Sequence, residues 1–194
     1  DRERGGVYWS VSYAGQPLDE TKHTYNQAFA IYALSAYYRL TGEGEALALA
    51  EELFDIIETR CVDAGGYLEA FTRDFRPASN EKLSENGVLA ERTMNTLLHV
   101  FEGYSGLYQA EKSPQTAAAL ERILDIYAHK VYNPRLRRQE VFFDRDYHTL
   151  IDLTSYGHDI ESSWLIDWGT ALLGRPALTA EIAARASPRK PRVP

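Results

Sequence analysis

His158 and Glu161 stand three residues apart in Tyr156-Gly157-His158-Asp159-Ile160-Glu161-Ser162-Ser163-Trp164, and Trp164 follows three further on. On a helix such residues lie side by side, so they form one short strip of imidazole, carboxylate and indole. A histidine at the start of a helix feels the positive end of the macrodipole, which favours the neutral ring. A neutral ring can take a proton near pH 7, while the carboxylate holds one ring nitrogen as donor and fixes the tautomer. The indole offers a flat face for a sugar. The strip has no second histidine and no HExxH pattern, so it is a poor metal site, and neither metal nor other cofactor is expected.

A second candidate lies upstream, where Asn95 and His99 are four apart on one helical face, and Tyr25, Asn26 and Phe29 supply polar and aromatic groups on a third segment. The remaining histidines have plainer readings. His23 falls in a pre-helix loop and reads as a capping or solvated group, His129 closes an outer helix where a cation suits the dipole, and His148 sits in a solvated turn. Trp9 and Trp168 read as core or rim aromatics. Glu69 and Glu140 fall at matching positions in two hairpins, which points to structure before chemistry.

The elements that must position these residues recur three times. Each unit opens on an aromatic stretch of hairpin type, at 5–13, 65–71 and 139–144, followed by polar turns around Ala14-Gly15, Arg73-Asp74 and Arg145-Asp146. A pair of helices follows each. First members are expected at 25–40, 91–110 and 158–173, and second members at 43–60, 114–130 and 176–186. With Tyr25, Arg92 and Asp159 as markers the first helices recur every 67 residues, the spacing of stacked helical hairpins. Gly42, Ser113 and Gly174 punctuate the connections. In the second helices Leu47, Ala50, Leu53, Phe54 and Ile57 make a single apolar stripe opposite Glu51, Glu52 and Asp55. The first helices mix aromatic, small and polar residues around their circumference. Such helices belong inside, with one face wet and the amphipathic helices packed behind. The fold class is therefore all-α: an α/α toroid with short β-hairpins at one rim, three pairs forming an arc.

Composition narrows the rest. A chain of 194 residues with 44% apolar content can bury one core. A net charge of −7 argues against nucleic acid and anionic membrane partners. Cys61 is the only cysteine, which excludes an internal disulfide and suits a reducing cytoplasm. Residues 1–187 read as one partial domain and 188–194 as an irregular Pro/Arg-rich tail, since proline cannot continue a helix.

The chain resembles the N-acylglucosamine 2-epimerase superfamily, and within it the cellobiose 2-epimerase branch. The likeness rests on Gly6-Val7-Tyr8-Trp9-Ser10, Lys22-His23-Thr24-Tyr25-Asn26-Gln27-Ala28-Phe29, Lys82-Leu83-Ser84-Glu85-Asn86-Gly87, Met94-Asn95-Thr96-Leu97-Leu98-His99, Arg138-Gln139-Glu140-Val141-Phe142-Phe143 and Ser155-Tyr156-Gly157-His158-Asp159-Ile160-Glu161. The resemblance implies an (α/α)6 barrel that inverts C2 of a reducing-end glucose unit through a cis-enediolate, without metal or nucleotide. It implies that His158 is one member of an acid/base pair oriented by Glu161, and that His99 assists ring opening or stabilises charge. Asn95 becomes a hydroxyl-binding residue, Asn26 a further binding residue, and Tyr25, Phe29 and Trp164 an aromatic lining. It also implies a monomeric full-length enzyme of twice as many helices, of which this chain holds the middle six. The arginine that polarises the carbonyl and the partner histidine fall outside, so the isolated fragment is expected to be inactive or nearly so on lactose.

Competing readings stay open at this point. An aldose–ketose isomerase or an N-acylglucosamine 2-epimerase would use the same residues. A glycoside hydrolase would need two carboxylates flanking the bond, whereas these helices offer Glu161 with histidines. A non-catalytic helical-repeat module would use the concave face to bind a partner.

Overall fold

Apolar residues recur at helical spacing in five segments of the described chain, and each of these is a helix. The computed structural model describes residues 1–84 and 87–175. It opens with a small hairpin, β1 (Ser10–Val11) against β2 (Pro17–Asp19), then β3 (Lys22–His23) leads into α1 (Thr24–Thr41) and α2 (Gly44–Arg60). The second unit runs β4 (Val62–Asp63), β5 (Gly66–Tyr67), β6 (Ala70–Phe71), β7 (Arg92–Thr93), α3 (Met94–Glu111) and α4 (Pro114–Ile126), which a π-helical turn, Tyr127–Val131, extends. The third runs β8 (Tyr132–Asn133), β9 (Arg138–Gln139), β10 (Phe142–Phe143) and α5 (Tyr156–Leu172). The expected outer helix at 176–186 and the tail at 188–194 lie outside the described residues.

Helix ends follow their punctuation. Gly42 ends α1 with φ 75° and its N–H donates to the Tyr38 carbonyl at 2.7 Å, a left-handed cap that glycine enters without a Cβ clash. Thr93 and Ser113 cap α3 and α4, each hydroxyl accepting the N–H three residues on, at 3.0 and 3.1 Å. Gly174 turns the chain just beyond α5 with φ 67°.

α1, α3 and α5 pack side by side, with α2 behind α1 and α4 behind α3. Thirteen of the eighteen α3 residues are buried, against five each in α1 and α5, so α3 is the middle inner helix and the other two are its flanks. The crossings are close because small residues sit at them. A Cβ on Gly103 would stand 2.6 Å from the Ala28 carbonyl oxygen, and one on Gly169 would enter the Phe101 ring. The core joins Ile31, Leu53, Ile57, Leu98, Phe101, Leu120, Ile123 and Leu165 in one cluster.

The strands overturn three expectations. The stretches 65–71 and 139–144 do not each close on themselves. β5 pairs with β4 and β9 with β8, while β6 crosses back to β3 and β10 to β7. Each later unit thus staples the strand that feeds the preceding inner helix. Nor is the repeat even: inner helices begin at Thr24, Met94 and Tyr156, 70 residues apart from 24 to 94 and 62 from 94 to 156. Arg92 belongs to the strand before its helix, so it does not match Tyr25. Glu69 and Glu140 are not equivalent either. The Glu69 carbonyl accepts from Thr24 N–H and the Val141 carbonyl from Met94 N–H, which makes Val141 the counterpart of Glu69.

Each pre-helix strand also carries a buried cation, 70 residues apart. Lys22 Nζ donates to Asp1 Oδ2 at 2.9 Å and lies 4.5 Å from the Phe75 ring centroid. Arg92 Nη2 donates to Asp63 Oδ1 at 2.5 Å, Nη1 to the Tyr67 carbonyl, and its guanidinium lies 5.1 Å from the Tyr147 ring. Arg73 and Arg145 close the two acidic partners from outside, on Asp1 and Asp63. Phe75 and Tyr147 both adopt positive φ, 61° and 67°, to bring their rings over these cations.

Candidate active site

The candidate residues sit on the first three turns of the inner helices, at the end where the paired strands deliver the chain. His99 lies on α3 with its ring against two α1 aromatics. Its centroid is 4.6 Å from that of Phe29, tilted by 40°, and 5.2 Å from that of Tyr25, edge-on at 87°. Tyr25 and Phe29 touch each other at 4.8 Å. Four-residue spacing puts Tyr25 and Phe29 on one face of α1 and Asn95 and His99 on the facing side of α3. Asn95 presents a buried Oδ1 that takes no hydrogen bond from the described residues.

The imidazole partners differ from expectation. His99 Nδ1 lies 2.8 Å from Glu102 Oε2, one turn on, and both residues are buried. His158 Nδ1 lies 2.7 Å from Ser155 Oγ, the helix N-cap position, and not against Glu161. Ser155 is the N-cap residue of α5, but its hydroxyl caps no backbone N–H and bonds the ring one turn on instead. Two HxxE spacings, 99–102 and 158–161, therefore give one hydrogen-bonded pair, at the site where the weaker case stood. Glu102 is the residue that sequence reasoning missed, although its spacing from His99 repeats that of Glu161 from His158.

Glu161 is half-buried, and its carboxylate acts on Tyr25. The Tyr25 phenol is held above its ordinary range, first by burial and then by the carboxylates of Glu161 and Glu102. Polar groups from α1, α3 and α5 thus share one electrostatic neighbourhood. Trp164 is 52% exposed on α5, an open indole face in line with Tyr156 and Ile160. Asn26 stands apart: its Nδ2 donates to the Trp9 carbonyl at 3.3 Å, because adjacent positions on a helix point about 100° apart. It anchors the β1 hairpin instead of joining the ring cluster.

The remaining histidines divide by burial. His23 is 1% exposed on β3, its ring tilted by 54° against Trp9 at 4.6 Å, with burial pushing its pKa down to about 4, so the solvated reading is corrected. His129 and His148 are exposed and pair with Asp125 and Asp144. At the helix entry Glu69, just before β6, caps α3, accepting from Thr93 N–H and Thr96 Oγ1, each at 2.6 Å. Its burial raises the carboxyl to about 7.

A family model described as N-acylglucosamine 2-epimerase (GlcNAc 2-epimerase) matches residues 1–186. A cellobiose 2-epimerase of Eubacterium cellulosolvens is 54% identical over 198 residues, covering 92% of this chain and 48% of that protein. The crystal structure of a sugar epimerase from a ruminal bacterium superposes with a TM-score of 0.93 at 47% identity, over 96% of this chain and 48% of that one. The cellobiose 2-epimerase from Bacillus thermoamylovorans B4167 gives a TM-score of 0.88 at 42% identity, over 95% and 50%. The chain spans about half the length of the curated relatives it matches.

Proposed function

The chain belongs to the N-acylglucosamine 2-epimerase family, and from that premise we propose that it forms part of a carbohydrate 2-epimerase acting on the reducing-end glucose unit of cellobiose and other β-1,4-linked sugars such as lactose. The observation that carries the proposal is the packing of His99, held by Glu102, against Tyr25 and Phe29 of the facing inner helix. The identity to proteins named cellobiose 2-epimerase supports the substrate class. The completed fold in this reading is an (α/α)6 ring, monomeric and in a reducing cytoplasm. Among the described residues no helix is long and apolar enough to cross a membrane.

The chemistry needs a group that moves one proton at C2. Ring opening exposes the C1 aldehyde, which acidifies the C2 hydrogen. His158 exchanges that proton; when it leaves, its electron pair forms the C1–C2 double bond and charge moves to the C1 oxygen, giving a cis-enediolate. Return of a proton to the opposite face of C2 completes inversion and requires a second acid on that face. His99 Nε2 assists ring opening or stabilises the enediolate oxygen. Asn95 binds a sugar hydroxyl through its side-chain amide, Tyr25 and Phe29 line the space, and Trp164 offers a stacking face.

The test uses the polypeptide that carries this segment at the length of its relatives. NMR of a cellobiose or lactose incubation should show reducing-end mannose signals and no ketose. His158→Ala and His99→Ala should each lower kcat at least about 100-fold, the usual worth of a general acid/base. The 194-residue chain alone should show no net conversion. Wild-type turnover in both variants would leave the helical-repeat reading in possession, and a ketose product would move the reaction to the isomerases.

A further inference from the structure

We propose that Glu102 is a positioning residue that fixes His99 as its Nδ1–H tautomer, so that Nε2 is the ring nitrogen offered to the space between the inner helices. The placement of Nε2 against a sugar rests on the epimerase reading above; the tautomer itself does not.

A carboxylate has acceptors only, so a 2.8 Å contact between Glu102 Oε2 and His99 Nδ1 requires the proton to lie on Nδ1. The neutral ring then carries its lone pair on Nε2. That atom has no hydrogen bond among the described residues, yet it is not one of the sealed, unpartnered side-chain atoms, a group that does include Asn95 Oδ1 one turn away. The carboxylate is itself buried, and its hydrogen bond to His99 is the compensation that burying it demands. Both residues sit on α3, so the hydrogen bond does not depend on how the inner helices are spaced. From the facing helix Phe29 and Tyr25 fix the ring plane, one tilted and one edge-on. Two elements thus remove two freedoms: α1 the rotation of the ring, and Glu102 the choice of tautomer.

His158 lacks such a restraint. Ser155 Oγ either donates to Nδ1 or accepts from it, so its ring can exchange roles between Nε2–H and bare Nε2. An acid/base group that must take and give protons gains from that freedom. A group that holds one role gains from a fixed acceptor.

Long-range 1H–15N correlation spectra of the uniformly 15N-labelled chain, at a pH where His99 is neutral, read the tautomer directly. Wild type should show a protonated Nδ1 and a bare Nε2. Glu102→Leu, which keeps the bulk and removes the acceptor, should shift His99 to Nε2–H or a mixture. Glu102→Gln retains a carbonyl acceptor and should restore Nδ1–H. A wild-type ring protonated on Nε2, or a Leu variant with an unchanged tautomer, overturns the proposal. If the Leu variant does not fold, the wild-type and Gln spectra decide. In the longer polypeptide Glu102→Leu should cut kcat about tenfold or more with KM within about twofold, since the loss is in proton handling and not in binding. A tautomer governed by Glu102 together with fully active His99 variants would sink the epimerase role of His99 and leave the positioning intact.

Discussion

Glu69 and His23 are buried near the same helix entries, and burial moves them in opposite directions on the pH scale. The Glu69 carboxyl rises to about 7 from its ordinary 4.5, so between those values the folded chain holds a proton that the unfolded chain has lost. Its contribution is full below pH 4.5 and fades as pH climbs through 7. His23 falls to about 4 from 6.5, so in that window the unfolded chain binds the extra proton. Its contribution is full above pH 6.5 and is lost as pH drops through 4. Between 4.5 and 6.5 the two slopes oppose each other. Melting temperature should therefore change little across that window in the wild type. Glu69→Gln keeps an acceptor for Thr93 N–H and a donor for Thr96 Oγ1 but cannot titrate. It should unmask His23, with Tm rising steadily from pH 4 to 6.5. A Gln variant with the same slope as wild type, both rising from pH 4.5 to 6.5, would mean that Glu69 is ionised throughout that window.

Helix crossings set the inner layer, and two glycines of α3 and α5 separate packing from propensity. Gly103→Ala gains helix propensity but pushes a Cβ to 2.6 Å from the Ala28 carbonyl, which backbone cannot yield without moving α1. A net loss of about 1–3 kcal/mol in urea unfolding is expected from such overpacking. Gly157→Ala, in the open first turn of α5 with nothing within 4 Å, should be neutral or gain up to about 1 kcal/mol. Equal effects in the two variants would refute the close α1–α3 approach. The helices themselves were readable from the sequence, because apolar spacing and the caps at Gly42, Ser113 and Gly174 are local signals. The strand pairing was not. Two-residue strands carry no alternation, and Lys22 finds Phe71 across a whole helical hairpin. The same non-locality hid the buried ion pairs of Lys22 and Arg92, whose acids lie far off in sequence. At the site, side-by-side spacing located the histidines but could not choose between Glu161 and Ser155 for His158. A residue three positions earlier and one three positions later are both neighbours on a helix.

An arc of stacked helices has two edges, and here both are apolar. α3 lies between neighbours and is buried nearly all round, but α1 exposes Tyr37 and Leu40, the latter 87%, and α5 exposes Tyr156 and Ile160, at 79% and 73%. Among the described residues nothing packs on these faces. Repeat proteins keep such edges soluble with polar terminal repeats, and an edge without one presents the surface that its neighbour would have covered. Joining the α1 edge of one copy to the α5 edge of another is a head-to-tail contact. It closes a ring if the rotation suits and otherwise propagates. The 194-residue chain, 22.0 kDa as a monomer, should therefore sediment at a higher mass at micromolar concentration. Leu40→Lys with Ile160→Lys should return it toward the monomer, since burying two lysines in an apolar contact is costly while exposing them is not. Because both substitutions lie on exposed positions, unfolding midpoints at high dilution should stay within about 0.5 kcal/mol of wild type. A wild-type chain that sediments as a monomer at every concentration would show that these faces are covered within the chain itself, and that the arc has no free edge.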